Sequence, residues 1–175
     1  MPTIHRTSAQ SPIGPVHARK VVLKAAQPII EKRIVTDISV ADWEELGNWV
    51  RTLNPVSRHA LVSQGVSTKV LYTLLDSFKR ISKPEIFAVV GFSSKTAGRR
   101  KDTAMSLPVS DATVSLIEIK SLAESVLGSS ADAEDWLNKP ALALDGYKPM
   151  ELIATRSGTE MVKELLIRLD YGVTV

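Results

Sequence analysis

From Val40 onward the apolar residues of this chain recur at spacings of three and four, and each run is cut by proline or glycine. Trp43, Leu46, Trp49, Val50 and Leu53 share one helical face. Asn54-Pro55 ends it, because the residue before proline is pushed out of the helical region. His59 to Val62 forms a second amphipathic piece that closes near Gly65. Ser67 can cap a third, whose stripe is Val70, Leu71, Leu74, Leu75 and Phe78. Ser82-Lys83-Pro84-Glu85 reads as a capping box, and the helix it opens runs through Ile86, Phe87, Val89 and Val90 to Gly91. Punctuation of this kind predicts an all-α fold built from short helices.

The helical pattern continues downstream. Ser93 can cap a short polar helix, Ser94 to Asp102, and after a linker with Pro108 a longer helix is expected to start at Ser110 and close at Gly128. Ser130 can cap a segment containing Trp136. Pro140 and Pro149 break the chain beyond it into short pieces, and Met150–Ala154 and Thr159–Leu169 are helical by period. Residues 1–17 are rich in Pro, Ser and Gly and read as a flexible arm. Residues 18–40 carry enough Val and Ile for a strand, but Pro28 interrupts helix and strand alike. The expected organisation is an arm at 1–17, a helical N-terminal domain at 18–109 and a C-terminal domain at 110–175.

Composition removes several chemistries. The chain has no cysteine, so disulfides and thiolate metal sites are excluded. Its histidines, His5, His17 and His59, have no ligand-spaced partners, so no metal site is expected. Acid pairs such as Glu44/Glu45 and Glu134/Asp135 are expected to lie on solvated helix faces. No nucleophile motif stands out, so no catalytic residues and no cofactor are expected, and the reading is a protein that is not an enzyme. The start of the chain lacks a signal-peptide core and no apolar run approaches a membrane span, which points to the cytoplasm and away from membranes.

Charge is unevenly divided. The net +3 combines a basic front, residues 1–130, with an acidic last stretch, residues 131–175. A basic front suits an anionic polymer. The pair Ser82–Val90 and Ser94–Asp102, joined by Gly91-Phe92-Ser93, has the layout of a helix-turn-helix over residues 82–102. In that layout Ser94, Lys95 and Thr96 face base edges, while Arg99, Arg100 and Lys101 hold phosphates. A solvated basic helix in a plain bundle has the same residue pattern. Residues 131–175 form a compact helical unit with Trp136 as a large anchor flanked by Ala133 and Leu137, with Leu142, Leu144, Met150, Leu152 and Ile153 expected to close over it and Val162, Leu165, Leu166 and Leu169 on one face of the last helix. So small a core either packs on upstream helices or buries its surplus against a second chain.

The order Ala133, Trp136-Leu137, Pro140, Leu144-Asp145-Gly146-Tyr147-Lys148-Pro149, Thr155-Arg156-Ser157-Gly158 and Tyr171-Gly172 resembles the C-terminal domain of Xre/ParS/MbcA-type antitoxins. Gly65 to Arg100, with Gly91-Phe92-Ser93-Ser94-Lys95-Thr96 and Arg99-Arg100, is similar to that family's helix-turn-helix region. The resemblance implies a homodimeric antitoxin that covers the active site of a toxin, in the commonest pairing a RES-domain enzyme that degrades NAD. It also implies repression of the antitoxin's own operon through operator DNA, and hetero-oligomers with the toxin. A repressor of the same build with no toxin partner is the alternative. The surface expected to meet the toxin comprises Leu165, Arg168, Leu169, Tyr171, Gly172, Val173, Thr174 and Val175. Val173-Thr174-Val175 and the terminal carboxylate are expected to reach into the toxin as an anion mimic of the NAD pyrophosphate. Trp136, Leu137, Leu144 and Leu152 are expected to serve the dimer and the core.

Overall fold

The computed structural model describes residues 42–93 and 103–172. Described elements are helical throughout: α1 Trp43–Thr52, α2 Pro55–Gln64, α3 Thr68–Ser77, α4 Lys83–Val90, α5 Leu107–Leu127, α6 Ser130–Leu137, a 3-10 turn at Leu142–Leu144, α7 Pro149–Leu152 and α8 Arg156–Asp170. The expected all-α class is what the structure has. None of the described helices is long and apolar enough to cross a membrane.

Caps at the helix starts follow the sequence closely. Asp42 accepts the Glu45 N–H at 3.0 Å, Asn54 the Ser57 N–H at 2.9 Å with Pro55 in the first turn, and Ser67 the Lys69 N–H at 3.2 Å. Ser82 accepts the Glu85 N–H, and its hydroxyl donates to the Glu85 carboxylate at 3.1 Å. Each such bond satisfies a donor that a helix start otherwise strands, worth about 1 kcal/mol.

Several boundaries differ: α2 starts at Pro55 instead of His59, Ser129 instead of Ser130 caps α6, and α8 starts at Arg156 instead of Thr159. The long helix starts at Leu107, three residues before the expected Ser110, with Pro108 inside its first turn. Proline costs nothing there because that N–H has no helical partner. Ser110 is instead fully buried, where its hydroxyl accepts the Val66 N–H at 3.0 Å and donates to the Met105 carbonyl at 3.3 Å.

The 21-residue α5 is the axis of the molecule. It packs against α1, α2, α4, α6 and α8. Val114, Leu116, Ile117, Ile119 and Ala123 are buried on several sides of it, as a helix surrounded by others requires. The boundary expected between residues 109 and 110 falls within its first turn, so elements from both sides share one core. Lys120 lies fully buried on this helix, and every buried polar side-chain atom among the described residues has a partner.

Candidate functional site

The C-terminal unit is built around α6 and α8. Ala133 and Leu137 are fully buried, Leu144 is buried, and Trp136 and Leu152 pack half-buried against the same core. The segment between α6 and α7 folds back on itself: the Ala141 N–H donates to Tyr147 O at 3.1 Å and the Gly146 N–H to Ala141 O at 3.0 Å. Asp145 adopts the left-handed region at φ 52°. This tight loop buries Leu144 and turns Leu142 outward, 97% exposed, so Leu142 does not close over Trp136 as expected.

The start of α8 explains the Thr-x-x-Gly step. Thr155 Oγ1 accepts the Gly158 N–H at 3.1 Å. A Cβ on Gly158 would stand 2.1 Å from the Leu152 carbonyl oxygen, so only glycine allows α7 and α8 to meet this closely. From there α8 buries Val162, Leu165 and Leu166 and leaves Met161, Glu164, Ile167, Arg168 and Tyr171 on its outer face. Tyr171 is 79% exposed. Arg168 pairs with Glu164 one turn earlier.

Among the residues expected to meet a toxin, Arg168, Tyr171 and Gly172 are therefore at the surface, Leu165 is in the core and Leu169 is half-buried against it. Val173, Thr174 and Val175 lie outside the described residues. So do Ser94, Lys95, Thr96, Arg99, Arg100 and Lys101, the residues expected to meet DNA. The chain leading up to those six is described. Gly91 ends α4 at φ 67°, its N–H donating to Ala88 O, and the Phe92 N–H returns to Phe87 O at 3.0 Å. The Phe87 and Phe92 rings lie 6.2 Å apart. On the far side, Thr68 N–H donates to Thr103 O at 3.0 Å and Met105 N–H to Val66 O at 2.9 Å. The described residues on either side, Gly91-Phe92 and Thr103–Met105, are thus fastened to the helical body.

Three ionic clusters join the C-terminal unit to the front of the chain. Glu118 on α5 pairs with Arg58 of α2 and Lys163 of α8, and Arg58 also donates to Ser115 Oγ at 2.9 Å. Burial alone would push the Glu118 carboxyl up, but the bond from Lys163 and the Arg58 charge together hold it below the ordinary value. Lys120 pairs with Glu124, donates to Ser130 Oγ at 3.1 Å and lies 4.4 Å over the Trp43 ring and 4.9 Å over the Phe78 ring.

The third cluster centres on Glu134, which is 1% exposed. Its carboxylate accepts the backbone N–H groups of Lys79 at 2.9 Å, Arg80 at 2.6 Å and Ile81 at 3.2 Å. Beside it, Asp135 pairs with Arg80 at 2.7 Å, and that bond holds the Asp135 carboxyl below its ordinary value. Glu134 therefore does not lie on a solvated face as expected. Burial of Ala133 and Leu137 brings the inner side of α6 against the α3–α4 turn, whose free N–H groups need an acceptor.

Residues 122–172 match the family model described as the antitoxin Xre/MbcA/ParS C-terminal toxin-binding domain. The chain is also similar to a protein described as Antitoxin Xre from Pseudomonas putida (strain KT2440), with 32% identity over 72 residues. That alignment covers 41% of this chain and 45% of the relative, so the chain spans less than half of the relative's length.

Proposed function

Residues 122–172 carry a C-terminal domain of the Xre/MbcA/ParS antitoxin type, and on that basis we propose that the chain is an antitoxin that binds and blocks a toxin. The observation that carries the reading is the coincidence of this domain with exposed apolar surface. Of the seven large hydrophobic side chains exposed among the described residues, five lie within it: Leu142, Tyr147, Met161, Ile167 and Tyr171. Surface of that kind marks a place where another protein docks.

The toxin we assign is a RES-type enzyme that degrades NAD, met through the outer face of α8 around Arg168 and Tyr171 and through the residues beyond Gly172. Leu165 and Leu169 act from beneath, by holding that face in place. The chain acts as a homodimer, forms hetero-oligomers with the toxin in the cytoplasm, and performs no catalysis itself. Through residues 82–102 it binds operator DNA and represses its own operon, with Lys95, Arg99, Arg100 and Lys101 supplying positive charge.

Co-expression with the product of the adjacent gene tests this directly. That product alone should arrest growth and deplete NAD, and this chain should restore both and co-purify with it. A neighbour that is harmless alone, or whose toxicity this chain leaves untouched, overturns the reading. Arg99→Ala with Arg100→Ala should abolish operator binding while neutralisation persists.

A further inference from the structure

The Glu134 carboxylate joins two parts of the chain that the proposed function treats as separate. It stands on α6, within the residues that match the toxin-binding domain. Its three N–H partners form the turn between α3 and α4 and end one residue before Ser82, the cap of α4. Such a turn has no partner for these donors in its own helices. An acceptor must come from outside, and an ionised carboxylate with two oxygens serves three donors at once. Where that acceptor sits decides where α4 begins. α4 is the first helix of the proposed helix-turn-helix, so its start also sets where Gly91 stands, the residue that closes it.

We propose that Glu134 is a positioning residue for operator recognition, acting through the Lys79–Ile81 turn. This role rests on the operator binding proposed for residues 82–102. The Arg80–Asp135 pair reinforces the same junction from the surface, so α6 grips the turn by main chain and side chain together. Glu134 touches no DNA in this role. It fixes the start of α4, the first helix of the region proposed to bind the operator.

The test uses the full chain and two duplexes, its own upstream region and a scrambled sequence of equal length. Wild type should prefer the upstream duplex. Glu134→Gln keeps the volume and one acceptor but turns an amide NH2 toward the N–H donors of the turn. It should lose about tenfold in affinity for the upstream duplex, with affinity for the scrambled duplex and toxin neutralisation both retained. A variant that is merely less stable would lower the active fraction and leave the ratio between duplexes unchanged. The amide proton signals of Lys79, Arg80 and Ile81 should move upfield together as the charged acceptor is lost.

Equal discrimination by wild type and Glu134→Gln overturns the proposal and leaves operator binding intact. Failure of wild type to discriminate overturns operator binding, and this role with it. Where Glu134→Gln does not fold, hydrogen exchange on wild type decides. Amides 79–81 should be as protected in the operator complex as in the free chain, and faster exchange in the complex overturns the proposal.

Discussion

The Lys120 ammonium lies 4.4 Å from the centroid of the Trp43 ring, and the indole N–H of that same ring donates at 2.6 Å to Glu124, the carboxylate that neutralises Lys120. A fully buried cation is tolerated because an anion, a hydroxyl and two aromatic faces replace its water. The cluster also ties α1 to α5 and to the start of α6.

Removing one charge of this pair leaves the other stranded. Lys120→Met should lower stability by about 3 kcal/mol, read by urea unfolding. Adding Glu124→Gln should return part of that loss, because Gln still accepts the Trp43 N–H and carries no charge. A single variant as stable as wild type would show that the ammonium contributes nothing.

Gly158→Ala should be far costlier than its size suggests, since the added methyl carbon meets the Leu152 carbonyl at 2.1 Å. A loss of about 3 kcal/mol is expected, against about 1 kcal/mol for Thr155→Ala, which removes only the cap. Thermal unfolding of the two variants side by side checks the order.

Leu165 and Tyr171 are six residues apart on α8 and its end, yet they should behave in opposite ways. Leu165→Ala opens a cavity and should cost about 2–4 kcal/mol. Tyr171→Ala should change stability by less than about 0.5 kcal/mol while weakening toxin neutralisation. Titration of toxin with each variant, corrected for folded fraction, separates the two.

Acid should loosen the junction of α2, α5 and α8. Glu118 has a lowered carboxyl value in the folded chain, so it binds its proton more readily when unfolded. Its contribution is complete above the ordinary carboxylate value of about 4.3 and is lost as pH falls from there through the lower folded value. Glu118→Gln should be less stable than wild type at pH 7, and the gap should shrink as pH falls through that window. A gap that is constant with pH would remove Glu118 from the acid response.

Much of this architecture is legible in the residues because the controlling signals are local. Ser67 and Ser82 cap the helices that their spacing predicts, and Gly91 closes α4. The start of α5 is not legible, since Ser110 is as good a cap by sequence as Ser106 and only the Val66 N–H claims its hydroxyl. Glu134 is hidden for a similar reason. Its partners lie 53 to 55 residues away and are backbone groups, which no side-chain pattern announces. Lys120 and Glu124 have the spacing of an ordinary surface pair, and only the placement of Trp43 and Phe78 reveals the pair as interior.

In the candidate site, the Thr155-to-Gly158 step and the Leu144–Pro149 loop mark the C-terminal unit through the family resemblance that they carry. The spacing of Val162, Leu165 and Leu166 marks one apolar face of α8, but the expected toxin surface mixes both faces, joining the buried Leu165 to the exposed Arg168 and Tyr171. The outward turn of Leu142 is not legible. It arises from the bonds between Ala141, Gly146 and Tyr147, which make the loop tight enough to bury only one of its two leucines.

Because α5 serves as the common spine of the described helices, neither half can be shed while the other goes on working. A protease that cut ahead of Leu107 would leave Ile117, Ile119 and the Lys120 charge without their cover on one flank. The remnant would expose the apolar face of α5 that the front helices cover. On the proposed reading, toxin binding and operator binding would then be lost together.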